Sequence, residues 1–398
     1  MHVLHLTWEY PPLVYGGIGR HVPALAAAQA AHGDRVTVVT QRPPGAPAHE
    51  VDSGVTVIRV DPDGPFPYRL PSLLSWVGDL DTRIGRAGCA VQGVDIVHAH
   101  DWVVGRAGAA TASHHGVPLV ATIHATEAGR HSGWLPDTVS RSVHLVEQWL
   151  ADDADAVIVC SAAMADEVAR AHGIPTSAIA VIPNGIDPEA GPTAGPIAAA
   201  LRAGDPRITF VGRLEWEKGV FTAVAAMPAV LARHPQARLR MVGTGGQRDA
   251  LRDAVGDAGL EASVDLLGHV DEQTLADVYA SSDLVVVPSS YEPFGIVALE
   301  AARAGVPLVV GDTGGLAEFV TPSRGRRCRP NDPDDLAAQV LAALADPADT
   351  CRRRDAATSA LAEYTWERIA ARTQQVYART RRGARPPRRL AAPPNPVL

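Results

Sequence analysis

One lysine stands among the 36 basic side chains of this 398-residue chain, in the stretch Val211-Gly-Arg-Leu-Glu-Trp-Glu-Lys-Gly219. Every other basic position is arginine, which a chain so rich in Ala and Pro uses wherever generic positive charge will do. Lysine is a compact ammonium on a flexible stem and suits a crowded phosphate oxygen, whereas arginine is a planar fork. Arg213 and Lys218 fall on a loop that leaves a strand and enters a helix, a spacing from which they can straddle one diphosphate. A surface salt bridge to Glu215 or Glu217 is the plainer alternative.

A second constellation is Ser289-Ser-Tyr-Glu-Pro-Phe-Gly-Ile-Val-Ala-Leu-Glu300, directly after the apolar run Leu284–Val287. Pro293 and Gly295 shape a turn whose free amides open a helix predicted over Ile296–Ala304. Glu292 stands before that turn and Glu300 on the helix. Gly16-Gly17-Ile18-Gly19 likewise precedes a helix, where exposed amides favour an anion. Its spacing is not GxGxxG, which disfavours a dinucleotide, and a tight turn without a ligand is the simpler reading.

His98-Ala-His100-Asp101-Trp102 ends one strand and Thr122-Ile-His124-Ala-Thr-Glu127 ends the next. Zinc would want tight ligand spacing and convergent carboxylates, so no metal is expected here. A polar lining that grips sugar hydroxyls fits these strand ends better.

The elements that must position these groups are short β-branched runs alternating with Ala-rich helical patterns, the signature of parallel α/β units. Strands are predicted at Val3–Thr7, Val36–Thr40, Val55–Val60, Asp95–His98, Leu119–Ile123, Ala156–Cys160 and Ala180–Ile182. A second series runs through Ile208–Val211, Leu239–Val242, Val264–Leu267, Leu284–Val287 and Leu308–Val310. The loose stretch Asp187 to Pro206 reads as the junction. The fold class is therefore α/β, with two facing Rossmann-like domains and a nucleotide site expected in the cleft between them. The expected divisions are 1–186, 187–364, a helix over 365–382 that crosses back onto the first domain, and a disordered Pro-rich basic tail over 383–398.

A net charge of −8 offers nucleic acid no general attraction. Six arginines between Arg379 and Arg389 give the tail a weak affinity for an anionic membrane surface as its alternative to simple fraying. The four cysteines form no CxxC pair, and neither a signal peptide nor a transmembrane run is present, so a cytoplasmic location is expected.

Together these residues resemble family 4 of the retaining glycosyltransferases, with the GT-B fold, over nearly the whole chain. The most specific match is the pair of glutamates, Glu292 and Glu300, reinforced by Arg213, Lys218 and Pro183-Asn-Gly-Ile-Asp187. The stretches around His98 and His124 look most like actinobacterial glycogen-synthase-type α-1,4-glucosyltransferases. The resemblance implies that Arg213 and Lys218 neutralise the departing diphosphate with help from the Gly16 and Gly17 backbone. It implies that Glu292, with Phe294, Gly295, Ile296 and Val297, holds the glucose, and that Glu300 binds the ribose. His124 would donate from its ring or backbone beside the transferring sugar, with Asp101 nearby and Asn184 approaching from the hinge. The base would lie near Gly268, His269 and Val270.

No pair of carboxylates flanks a bond as in retaining hydrolases, so front-face displacement without metal or other cofactor is the mechanism the resemblance implies. The partners are then a nucleotide-sugar donor and a glucan or oligosaccharide acceptor. Glycogen synthases that use ADP-glucose carry a lysine where this chain has Val14, which leaves UDP-glucose and ADP-glucose both open. Rival readings are transfer of mannose or another hexose to a lipid or small molecule, a nucleotide-sugar 2-epimerase, and a silent nucleotide-sugar-binding module.

Overall fold

Strand runs buried on both faces belong to parallel sheets flanked by helices. The computed structural model, which describes residues 1–64, 72–189 and 205–383, contains two such sheets. The chain divides into two units, Met1–Gly185 with Trp366–Leu398, and Ile186–Thr365. Most of the expected junction (190–204) and the basic tail from 384 onward lie outside the described residues.

The first unit runs β1 (His2–Leu6), α1 (Ile18–Ala31), β2 (Arg35–Gln41), β3 (His49–Asp52), β4 (Val55–Val60), α2 (Ser72–Ala90) and β5 (Ile96–His100). It continues with α3 (Gly105–His115), β6 (Leu119–Ile123), α4 (Glu127–Arg130), α5 (Thr138–Asp153), β7 (Ala156–Val159), α6 (Ala162–His172) and β8 (Ile179–Val181). The strand order is β3-β4-β2-β1-β5-β6-β7-β8, parallel except for β3 against β4. The sequence reading contains no counterpart of β3. His-Glu-Val-Asp on a largely exposed edge shows no apolar alternation, and its polarity guards the edge.

The second unit runs β9 (Arg207–Val211), α7 (Val220–Leu231), β10 (Arg238–Val242), α8 (Arg248–Asp257), β11 (Val264–Gly268), α9 (Glu272–Ala280) and β12 (Leu284–Val287). It then runs α10 (Ile296–Arg303), β13 (Leu308–Gly311), α11 (Gly314–Phe319), β14 (Arg326–Cys328), α12 (Pro333–Ala345) and α13 (Pro347–Ala360). Its all-parallel order β11-β10-β9-β12-β13-β14 reverses between β9 and β12, the switch point where such sheets bind ligands beyond their carboxyl ends.

The final helix, α14 (Trp366–Arg382), belongs to the first unit. Its Ile369, Ala370, Val376 and Tyr377 share one buried cluster with Val3, Leu25, Ile96 and Val120. Among the described residues, no helix is long and apolar enough to cross a membrane.

Candidate active site

In the second unit, the loops after β9 and β12 meet at the switch point. Ser290 and Tyr291 donate their amides to the Glu217 carbonyl at 2.9 and 3.3 Å. Gly219, at φ +70°, passes so close to β12's exit that a Cβ there would stand 2.1 Å from the Pro288 carbonyl oxygen. That approach delivers Lys218 to Glu292, where Nζ donates to Oε2 at 2.8 Å. Both side chains are mostly buried, with relative exposures of 17% and 15%. Arg213 is more exposed and pairs with Glu217 at 2.8 Å, so the salt-bridge alternative describes Arg213, while Lys218 crosses instead to the other loop.

The Glu292 loop is braced from the next strand. Gly315 donates its amide to the Glu292 carbonyl at 3.1 Å, and a Cβ on Gly314 would meet that oxygen at 2.1 Å. Phe294 is buried, Gly295 adopts a left-handed conformation, and Ile296 and Val297 open α10 partly exposed. Glu300, one turn further along, is buried and accepts a hydrogen bond from Tyr279 at 3.0 Å. Gly268 ends β11 and takes the Gly243 amide on its carbonyl at 2.8 Å; His269 beside it is exposed and Val270 half-buried. Sequence reasoning missed the loop Gly243-Thr-Gly-Gly246, which closes on this region through Leu214 N to Thr244 O at 2.9 Å and Gly246 N to Glu215 Oε1 at 2.8 Å. Its signal, a glycine-rich turn leaving a strand, was present.

In the first unit, the Gly16 amide does not stand free for a donor. Glu9, buried, accepts the amides of Tyr15 and Gly16 at 2.8 Å each and of Gly19 at 3.3 Å, so the protein's own carboxylate takes the place expected for an anion. Gly17 caps α1 with no side-chain partner.

The histidines correct a second expectation. His98 and His100 line no sugar-binding surface, because both are fully buried. Parallel register sets His5 beside His98, and the strand period of two puts His100 on the same face. The imidazoles therefore stack under α1 and α14, with His98 and His100 centroids 4.2 Å apart. Gln29 Oε1 accepts from His5 Nε2 at 2.7 Å, which places the single proton of neutral His5 on that nitrogen. His5 Nδ1 must then accept from His100 Nε2 at 3.0 Å, and His100 Nδ1 from His124 Nε2 at 3.2 Å. Three imidazoles thus point their protons one way, and the ring nitrogen left as an acceptor on His124 is Nδ1. On the other side, Gln29 Nε2 donates to Tyr377 at 3.2 Å, Tyr377 to His98 Nδ1 at 2.6 Å, and His98 Nε2 to Thr122 at 2.7 Å. Burial holds His5 and His21 neutral, down to about 4, and likewise lowers His98, His100 and His124 well below the ordinary imidazole value.

The His124 amide is not free to donate to a sugar: it donates to Asp101 Oδ1 at 2.7 Å, and the ring Nε2–H is taken by His100, which leaves ring Nδ1 as an acceptor in place of the expected donor. Asp101, at φ 64°, is pushed up to about 7 by burial, against the pull of that amide. Asn184 is buried and accepts from His21 Nδ1 at 2.8 Å, so it belongs to the imidazole network. Gln29, His5, His21 and Tyr377 carried no sequence signal, because their roles depend on which faces the helices present.

Residues 15–190 match the family described as Glycosyltransferase Family 4, and residues 197–360 the one described as Glycosyl transferases group 1. A glycogen synthase of Mycobacterium tuberculosis strain H37Rv is 42% identical over 97% of each chain. An alpha-maltose-1-phosphate synthase of the same strain is 32% identical over 95% of this chain and 99% of its own. The solved sucrose-phosphate synthase of Thermosynechococcus elongatus superposes with a TM-score of 0.84 at 27% identity, covering 96% of this chain and 100% of that one.

Proposed function

The chain belongs to glycosyltransferase family 4, and from that premise we propose that it moves glucose from a nucleotide-glucose donor, UDP- or ADP-glucose, to the non-reducing end of an α-1,4-glucan, with retention. The observation that carries this reading is the Lys218–Glu292 pair at the switch point of the second sheet. It joins the lone lysine to the first glutamate of the most specific motif in the chain.

In this scheme Lys218 and Arg213 meet the diphosphate as its negative charge develops, which lowers the barrier because the charges are already in position. Glu292 and the amides around Gly295 and Ile296 hold the sugar hydroxyls, with Phe294 and Val297 shaping their loop. Glu300 takes the ribose, and Gly268 to Val270 the base. The bond from the anomeric carbon to the phosphate oxygen breaks as the acceptor oxygen bonds on the same face. The acceptor's proton passes to the departing phosphate. Two cationic side chains perform the neutralisation, so we assign the step no metal. In the first unit we assign His124, through its ring, to the transferring sugar; Asp101 fixes its backbone, and Gly17 keeps the role of an anion-facing turn.

The 32% identical relative named for alpha-maltose-1-phosphate supports a second reading, in which the acceptor is a small phosphorylated sugar. Incubation with UDP-glucose, ADP-glucose or GDP-mannose, with malto-oligosaccharide or glucose 1-phosphate and with EDTA, separates the two. Product ladders spaced by one hexose support the glucan reading. A single disaccharide phosphate supports the second, and nucleotide release from neither acceptor overturns both.

A further inference from the structure

We propose that His144, Glu147 and His172 form a binding site for one divalent transition-metal ion of the zinc class, built between α5 and α6 of the first unit. His144 and Glu147 are three apart on α5 and so share a face. His172 closes α6, where left-handed Gly173 caps the last turn. One ligating atom from each residue lies within 4.8 Å of the other two.

The hydrogen-bonding ledger points to an ion. His172 has a completely buried side chain, yet neither of its ring nitrogens has a hydrogen-bond partner among the described residues, and neither does Nδ1 of His144. Leaving such groups unmet costs about 1–3 kcal/mol each, and native interiors seldom do so. Glu147 does not relieve them, because its Oε2 is 3.9 Å from His172 Nε2, beyond hydrogen-bond reach. A cation would take lone pairs from both imidazoles and offset the charge of a carboxylate whose side chain is only 4% exposed.

The geometry agrees. Two imidazoles on one tetrahedral ion, with bonds of about 2.0–2.1 Å, have centroids about 5 Å apart. The His144 and His172 centroids are 5.0 Å apart. Nitrogen and oxygen ligands on such an ion are about 3.3 Å apart, so the Glu147–His172 gap needs to close by roughly half an ångström. Two imidazoles and a carboxylate favour Zn²⁺ over Mg²⁺ or Ca²⁺. His144 is half-buried, which places the cluster near the surface of the first unit. His5, His98 and His100 lack this character, since every one of their ring nitrogens already has a hydrogen-bond partner: Gln29 and His100 for His5, Tyr377 and Thr122 for His98, His5 and His124 for His100.

The site's position gives the ion a structural role. Both Glu147 oxygens accept the Glu127 amide, at 2.9 and 3.1 Å, three residues beyond His124. Fixing Glu147 therefore fixes the backbone that carries the His124 ring.

The test is calorimetric titration of untagged, chelator-stripped and dialysed protein with ZnCl₂. Wild type and His124→Gln are expected to bind one ion per chain, while His144→Gln, Glu147→Gln and His172→Gln each weaken binding about tenfold or more. Should the buried His172→Gln or Glu147→Gln fail to fold, His144→Gln at its half-buried position carries the same test. No saturable binding to wild type, or undiminished binding in His144→Gln, overturns the proposal. So does loss confined to His124→Gln, which would place the ion among the stacked imidazoles.

Discussion

Lys218 and Glu292 are 74 residues apart in the chain and meet through a 2.8 Å hydrogen bond between Nζ and Oε2. The ammonium is thereby held between the loops that follow β9 and β12. Such a mostly buried pair contributes little net stability, because the cost of desolvating both charges offsets their attraction. Its value is in placing charge.

Lys218→Ala and Glu292→Ala are therefore expected to lower turnover by about 10²- to 10³-fold, the usual loss when a preorganised charge or donor is removed. Their thermal midpoints should shift by only a few degrees. Steady-state nucleotide release with calorimetric melting checks both, and wild-type turnover in either variant would sink the site assignment.

Gly219→Ala probes the same relationship through the backbone. A Cβ there collides with the Pro288 carbonyl, and φ +70° is strained for alanine. The loops must part, so we expect a loss of about 2 kcal/mol or more in stability, with turnover falling as Lys218 moves from Glu292. Urea unfolding combined with kinetics checks this. Unchanged values would mean the loops have slack that the structure does not display.

Gln29 orders the imidazole protons from a distance. Gln29→Leu removes the acceptor for His5 Nε2 and the donor to Tyr377, and should cost about 1–3 kcal/mol for the buried groups left unmet. In wild type, long-range ¹⁵N–¹H correlation spectra should show protons on Nε2 of His5, His100 and His124. Protons on Nδ1 of these residues would reverse the direction of the network.

Acid should destabilise the first unit. His5 and His21 titrate near 6.5 unfolded but near 4 folded, because burial disfavours the cation. As pH falls from 6.5 towards 4, the unfolded chain gains protons that the folded one refuses, at a loss of up to about 3 kcal/mol for each of the two. Asp81 and Asp101, raised to about 7 by burial, work the other way, since the folded state binds their protons first between 7 and 3.8. His5, His21, His98, His100, His124 and His172, all lowered by burial, outnumber Asp81, Asp101 and Glu147, the carboxyls raised by burial, so the urea midpoint should be lower at pH 5 than at pH 7.5. A higher midpoint at pH 5 would mean the carboxyls dominate.

Strand positions, the two series of α/β units and the residues of the Lys218, Glu292 and Gly295 loops were legible along the chain, because each follows from local pattern: apolar runs, glycines at turns and charges at strand ends. Expected strands such as Val55–Val60 and Leu284–Val287 coincide with observed ones, and α10 ends one residue before its expected limit. Partnerships were not legible. Lys218 had two nearby glutamates as candidates and instead joined one from another strand, because sheet order, not sequence distance, sets the neighbours of a loop. The His98 and His100 side chains read as surface groups at a strand end; only the packing of α1 and α14 over that face made them interior. Glu9 was invisible as the anion of the glycine turn, and His172 as a neighbour of His144, because both depend on how elements fold back on one another. Local chemistry is written residue by residue, but desolvation and hydrogen-bond pairing exist only once the chain has closed.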